Sequence, residues 1–121
     1  MNMTDEHTTP LIERSCKACR GDLPALKGAD LAEWAAKTPS CEVIDEHHLQ
    51  QQWKFANFLE ALAFVNRVAE VAEEQGHHPD LSFSWGWVRV EIWTHKIDAL
   101  TESDFILAAH IDHCASAGES S

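Results

Sequence analysis

A chain of 121 residues with nine basic and twenty acidic side chains carries a net charge of −11, so it repels a phosphate backbone and nucleic acid is excluded as a direct ligand. Apolar residues at 45% and charged residues at 24% fit one packed domain and exclude a disordered or fibrous chain. No apolar run reaches membrane-spanning length, and the start "MNMTDEHTTP" lacks both parts of a secretory signal, so no membrane association and a cytoplasmic location are expected, with reduced thiols at Cys16, Cys19, Cys41 and Cys114.

Residues 1–29 hold Pro10, Gly21, Pro24 and Gly28 without sustained periodicity, and read as an N-terminal arm that lies on the domain or stays loose. The domain is expected over 30–115, followed by a small, polar, flexible tail at 116–121. "ADLAEWAAKTPS" predicts a short helix with Leu31, Trp34 and Ala35 on one side, ended by Pro39. In "CEVIDEHHLQQQWKF", Cys41 and Val43 precede a polar turn, and Leu49, Gln51, Trp53 and Phe55 share a face after it, which is a hairpin pattern.

"NFLEALAFVNRVAEVAEEQG" is helical: Phe58, Leu62, Val65, Ala69 and Ala72 recur at the helical period with Leu59 beside them. Asn57 and Glu60 form a capping box, and Gly76 supplies the left-handed C-terminal residue. The period then switches to two. "LSFSW" sets Leu81, Phe83 and Trp85 against Ser82 and Ser84, and Gly86 permits a turn. "WVRVEIWTH" separates Val88, Val90, Ile92 and Thr94 from Trp87, Arg89, Glu91, Trp93 and His95. A last helix begins in "LTESDFILAAHIDH", capped by Thr101 and Asp104 and stapled by Leu100 and Phe105. The order α-β-β-α-β-β-α implies an α+β fold, a four-stranded antiparallel sheet with three helices packed on one face.

Two of the eight histidines stand in "EEQGHHPDLSF" between a glycine and a proline. A helix ending at Gly76 and an extended His78 before Pro79 leave His77 and His78 few directions. The helix C-terminus and Glu73 favour a protonated imidazole and burial opposes it, which suits acid–base work near neutrality; local packing or capping is the alternative role. His47 and His48, also adjacent, fall at the predicted hairpin tip among acids and read as solvated turn residues.

"EEQGHHPDLSFSWGWVRVEIWTHKIDALTESDFILAAHID" resembles the pterin-4a-carbinolamine dehydratase family: an acidic residue, three residues, His-His-Pro, two strands, Thr-His, then a Leu-Thr/Ser-x-x-Asp helix start. The likeness continues upstream through "WKFANFLEALAFVNRVAEVAEE", and "CKACRGDLP" resembles the N-terminal arm of some bacterial members. It implies a lyase that removes water from 4a-hydroxytetrahydropterin to give quinonoid dihydropterin, recycling tetrahydrobiopterin after aromatic amino-acid hydroxylases. It also implies His77, His78 and His95 as catalytic residues and Glu73, Pro79, Thr94 and Asp104 as substrate-binding ones. Neither cofactor nor metal is implied; a homodimer or homotetramer is, and a hydroxylase partner is compatible with it. Gly76 and Cys41 depart from the pattern, standing where many relatives have Asp or Asn and a pterin-lining strand tryptophan; Trp34, Trp53, Trp87 and Trp93 are candidates for the latter place.

Two other readings compete. Cys16-x-x-Cys19 and His110-x-x-His113 could each supply half of a zinc site. Some animal members of the family serve as dimerisation cofactors of a transcription factor, so a non-enzymatic interaction module is the alternative function. Retention of all three motif histidines favours catalysis.

Overall fold

A computed structural model describes residues 24–119, and side chains as far as 115. The elements are α1 (Gly28–Ala35), β1 (Glu42–Ile44), β2 (His48–Lys54), α2 (Phe58–Gln75), β3 (Asp80–Ser84), β4 (Trp87–Ile92) and α3 (Glu102–Glu119). The strands form one antiparallel sheet in the order β1-β2-β4-β3, with Val43 opposite Leu49, Leu49 opposite Ile92 and Asp80 opposite Glu91. This is the expected α+β arrangement. Pairing of β2 with β4 brings the first hairpin beside the last strand, so the β1–β2 turn, the start of β3, the exit of β4 and the start of α3 share one end of the sheet.

Period-two alternation decides the sheet's faces. Leu49, Val88, Val90 and Ile92 are buried with Phe64, Val68, Phe105 and Ile111 of the helices, while Gln50, Arg89 and Glu91 point the other way. Helix α2 lies over β3 and β4 and against α3, and α1 closes on α3 through Trp34 and Phe105, whose rings are 6.1 Å apart.

Three expectations need correction. The buried ridge of α2 is Ala61, Phe64, Val68 and Ala72, whereas Phe58 is 44% and Leu59 74% exposed and Ala69 lies on the surface. Both ridges obey the helical period; Phe64 wins because its ring seats between Trp53 and Phe55, at 4.8 and 5.3 Å. Trp85, grouped with Leu81 and Phe83, sits exposed at the β3–β4 turn beside Gly86, whose φ is 87°. Leu26, in the arm expected to lie on the domain or stay loose, takes the first course: it joins the core and donates its N–H to the Leu100 carbonyl at 2.8 Å. Helix α3 runs to Glu119, into the segment expected to form a tail.

The end signals act as anticipated. Asn57 Oδ1 accepts from the Glu60 N–H at 2.9 Å, and Glu60 Oε1 accepts from the Ala56 N–H at 3.3 Å. At α3 the Thr101 N–H donates to Asp104 Oδ2 at 2.8 Å, with Leu100 and Phe105 both fully buried.

Candidate active site

The site begins where α2 stops. Gly76 takes a left-handed conformation, φ 66°, and the His77 N–H returns to the Ala72 carbonyl at 3.2 Å. That reversal drives the His77 ring inward, to 7% exposure, where Nε2 meets Asp104 Oδ1 at 2.5 Å. Asp104 is completely buried. Its Oδ2 accepts from the Thr94 hydroxyl at 2.9 Å and the Thr101 N–H at 2.8 Å. Because the Thr94 hydrogen is directed there, Thr101 Oγ1 donates to Thr94 Oγ1 across 3.0 Å, while itself accepting from the Ser103 N–H at 3.2 Å. With Nε2–H of His77 directed at the Asp104 carboxyl, Nδ1 is the ring nitrogen left with a lone pair.

Thr94 and Asp104, expected among the substrate-binding residues, are thus interior: one is 2% and the other 0% exposed, and their polar atoms are engaged with each other, Thr101 and His77. Asp104 also serves as the helix cap. The remaining motif residues face outward. His78 Nε2 and Glu73 Oε2 pair at 2.6 Å with side chains 63% and 77% exposed, and Pro79 between the histidines and β3 is half-buried. His95 lies just past β4, its Nε2 3.4 Å from Asp80 Oδ1 and its ring 4.4 Å from that of Trp93. One His-His-Pro-Asp segment therefore supplies the ring paired with Asp104 and the carboxylate facing His95.

His47 and His48 are only partly solvated: His47 closes the turn with its side chain 34% exposed, and His48 opens β2 at 18%. Asp45 and Glu46 make the turn at positive φ, and the histidines fold back onto Trp93 with ring centroids 5.2 and 5.7 Å from the indole. Their Nδ1 atoms are 3.0 Å apart; His47 Nε2 bonds Asp98 Oδ1 at 2.7 Å, and His48 Nε2 is 3.5 Å from Glu91 Oε2. The local pattern concealed this. The signal that could have found it is register: with Leu49 opposite Ile92, the residue before one meets the residue after the other. Of the four candidate tryptophans, Trp34 is buried on Phe105 and Trp53 packs on Phe64, whereas Trp93 has its ring against a motif histidine.

A cleft of about 300 Å³ lies elsewhere, between the segment joining α1 to β1, Gln51 of β2 and helix α3, lined by Lys37, Cys41, Gln51, Asp112 and His113 among others and by none of the motif histidines. Cys41 donates to Gln51 Oε1 at 3.3 Å; burial, reinforced by Asp112, pushes its thiol up to about 12. Burial also raises the Cys114 thiol, so neither is a ready nucleophile. Cys16 and Cys19 lie outside the described residues; among the described ones no group of three or more His, Cys, Asp or Glu could hold a metal ion, and no helix is long and apolar enough to cross a membrane.

Known proteins resemble this chain along most of its length. The family model described as pterin 4 alpha carbinolamine dehydratase matches residues 24–114. A Rubrobacter xylanophilus protein provisionally named pterin-4-alpha-carbinolamine dehydratase is 55% identical over 102 residues, 84% of this chain and 95% of its own. A Rickettsia bellii protein with the same provisional name is 44% identical over 106 residues, 87% and 94% of the two chains. Among solved structures, a transcriptional coactivator/pterin dehydratase from Brucella melitensis superposes with a TM-score of 0.70 at 25% identity, covering 76% of this chain and 99% of that one. A pterin dehydratase-like protein identified as a RuBisCO assembly factor in the alpha-carboxysome shares the fold, with a TM-score of 0.54 at 23% identity over 63% and 89% of the chains.

Proposed function

The chain belongs to the pterin 4 alpha carbinolamine dehydratase family, and from that premise we propose that it removes water from a 4a-hydroxytetrahydropterin to give the quinonoid dihydropterin. The observation that carries the reading is the buried His77–Asp104 pair at the "GHHP" joint, an imidazole of fixed tautomer at the site's inner edge. The C4a–O bond breaks as a proton reaches the departing hydroxyl, the N5–H bond releases its proton, and the N5 electrons form the N5=C4a double bond. Oxidation state is unchanged, so no electron acceptor takes part, and we assign no cofactor or metal.

Two proton transfers need two placed groups, and imidazoles serve both near neutral pH. His77, anchored through Nε2, exchanges its proton at Nδ1; His95, at the strand exit, is its partner. His78, held by Glu73 at the rim, binds substrate, with Pro79 setting its backbone. Thr94 and Asp104 act through His77. In this reading the protein works in the cytoplasm as a homodimer or homotetramer and draws its substrate from an aromatic amino-acid hydroxylase.

The second reading, a non-enzymatic interaction module, draws on the exposed Phe58, Leu59 and Trp85. Turnover separates the two. Enzymatically generated 4a-hydroxytetrahydropterin should lose water faster with the protein than without it. His77→Ala and His95→Ala should each lower kcat on the order of a hundredfold or more with the circular dichroism spectrum retained, and His78→Ala should chiefly raise KM. Near-wild-type turnover in both of the first two variants would reject the mechanism.

A further inference from the structure

We propose that His47 is a positioning residue for His95, bracing it from the neighbouring hairpin; the catalytic consequence rests on the dehydratase reading. His95 has little of its own to hold it. Its ring faces Asp80 at 3.4 Å, with both side chains about half exposed at 52% and 51%, and an exposed pair at that distance does not confine an imidazole. A proton-transfer group must nevertheless stay within hydrogen-bond reach of the reacting atom.

Two connections run from His47 to His95. The first is aromatic. Trp93 carries His95 at 4.4 Å, and the same indole is packed by His47 at 5.2 Å and His48 at 5.7 Å, so the surface on which His95 rests is itself held by the hairpin. The second is polar. His47 Nε2–H donates to Asp98 Oδ1 at 2.7 Å, and the Asp98 N–H donates to the His95 carbonyl at 3.3 Å. Asp98 is left-handed, φ 53°, a conformation that needs support in a residue other than glycine. The latch to His47 supplies part of that support, with the Thr94–Ala99 bridge closing the same loop. His47 Nδ1 and His48 Nδ1 lie 3.0 Å apart, within hydrogen-bond distance, which ties the two rings together against Trp93.

The test combines kinetics with the His95 Hε1 resonance, which the nearby indole displaces through its ring current. In His47→Ala, kcat for dehydration should fall about tenfold while KM changes less than about twofold, and the His95 resonance should move toward its value in an unfolded chain. His47→Gln, which retains an amide donor for Asp98, should recover part of both effects. An unchanged His95 resonance in His47→Ala overturns the proposal even if kcat falls, because His47 would then act otherwise than through His95. A displaced resonance with unchanged kcat overturns it too. If the wild-type protein does not turn over, the dehydratase reading fails on its own, and the resonance alone decides whether His47 braces His95.

Discussion

Asp104 shows how a residue's neighbours set its task. As the acid three residues after Thr101 it was legible as a cap; that the same carboxyl completes a buried pair with His77 required knowing that α2 ends against the start of α3. The consequence is testable. In Asp104→Asn the two donors at Oδ2, Thr94 and Thr101, keep the amide oxygen, so the NH2 turns to His77 Nε2 and forces its hydrogen onto Nδ1. Every hydrogen bond is remade and the fold should survive, but the proton-exchanging nitrogen has the wrong tautomer. We expect kcat to fall on the order of a hundredfold or more, with ¹⁵N shifts of His77 reporting the exchange of its two nitrogens. Unaltered ¹⁵N shifts together with full kcat would sink the assignment.

At the scale of the element, α2 delivers the motif through its last turn. Gly76 holds the left-handed backbone that ends the helix, φ 66°, a conformation that glycine adopts most readily and Asn or Asp next. A Cβ at Gly76 would meet no atom within 4 Å, which leaves backbone strain as the only cost. Gly76→Ala should therefore lose about 1 kcal/mol in denaturant unfolding, and Gly76→Asn distinctly less. A loss well above that in both variants would mean that the helix end does more than turn the chain.

Across the whole molecule, aromatic packing joins the helix layer to the sheet, most deeply at Phe64. Phe64 is 1% exposed and lies between Trp53 and Phe55, which are on or next to the strand that ties the first hairpin to β4. Phe64→Ala should cost about 3–5 kcal/mol, a large share of the ~5–15 kcal/mol typical of a domain, whereas Leu59→Ala on the exposed ridge should change stability by roughly 0.5 kcal/mol or less. The two midpoints in a urea titration check this; equal losses would restore the ridge that periodicity alone favoured.

The order of elements, the antiparallel class, the two capping boxes and the His-His-Pro joint were determined by the sequence itself, because periodicity, caps and turns act over a few neighbouring residues. Asn57 with Glu60 and Thr101 with Asp104 could be read without knowing what lay across the core. Only the tertiary structure decided the rest. Periodicity marks two apolar ridges on α2, and the sheet's own rings select the one bearing Phe64. Thr94 and Asp104 became interior partners of His77 because α2 ends against the start of α3, and His47 and His48 packed on Trp93 because strands β2 and β4, far apart in the chain, pair edge to edge. Such contacts depend on which surfaces meet, and no local pattern of residues contains that information.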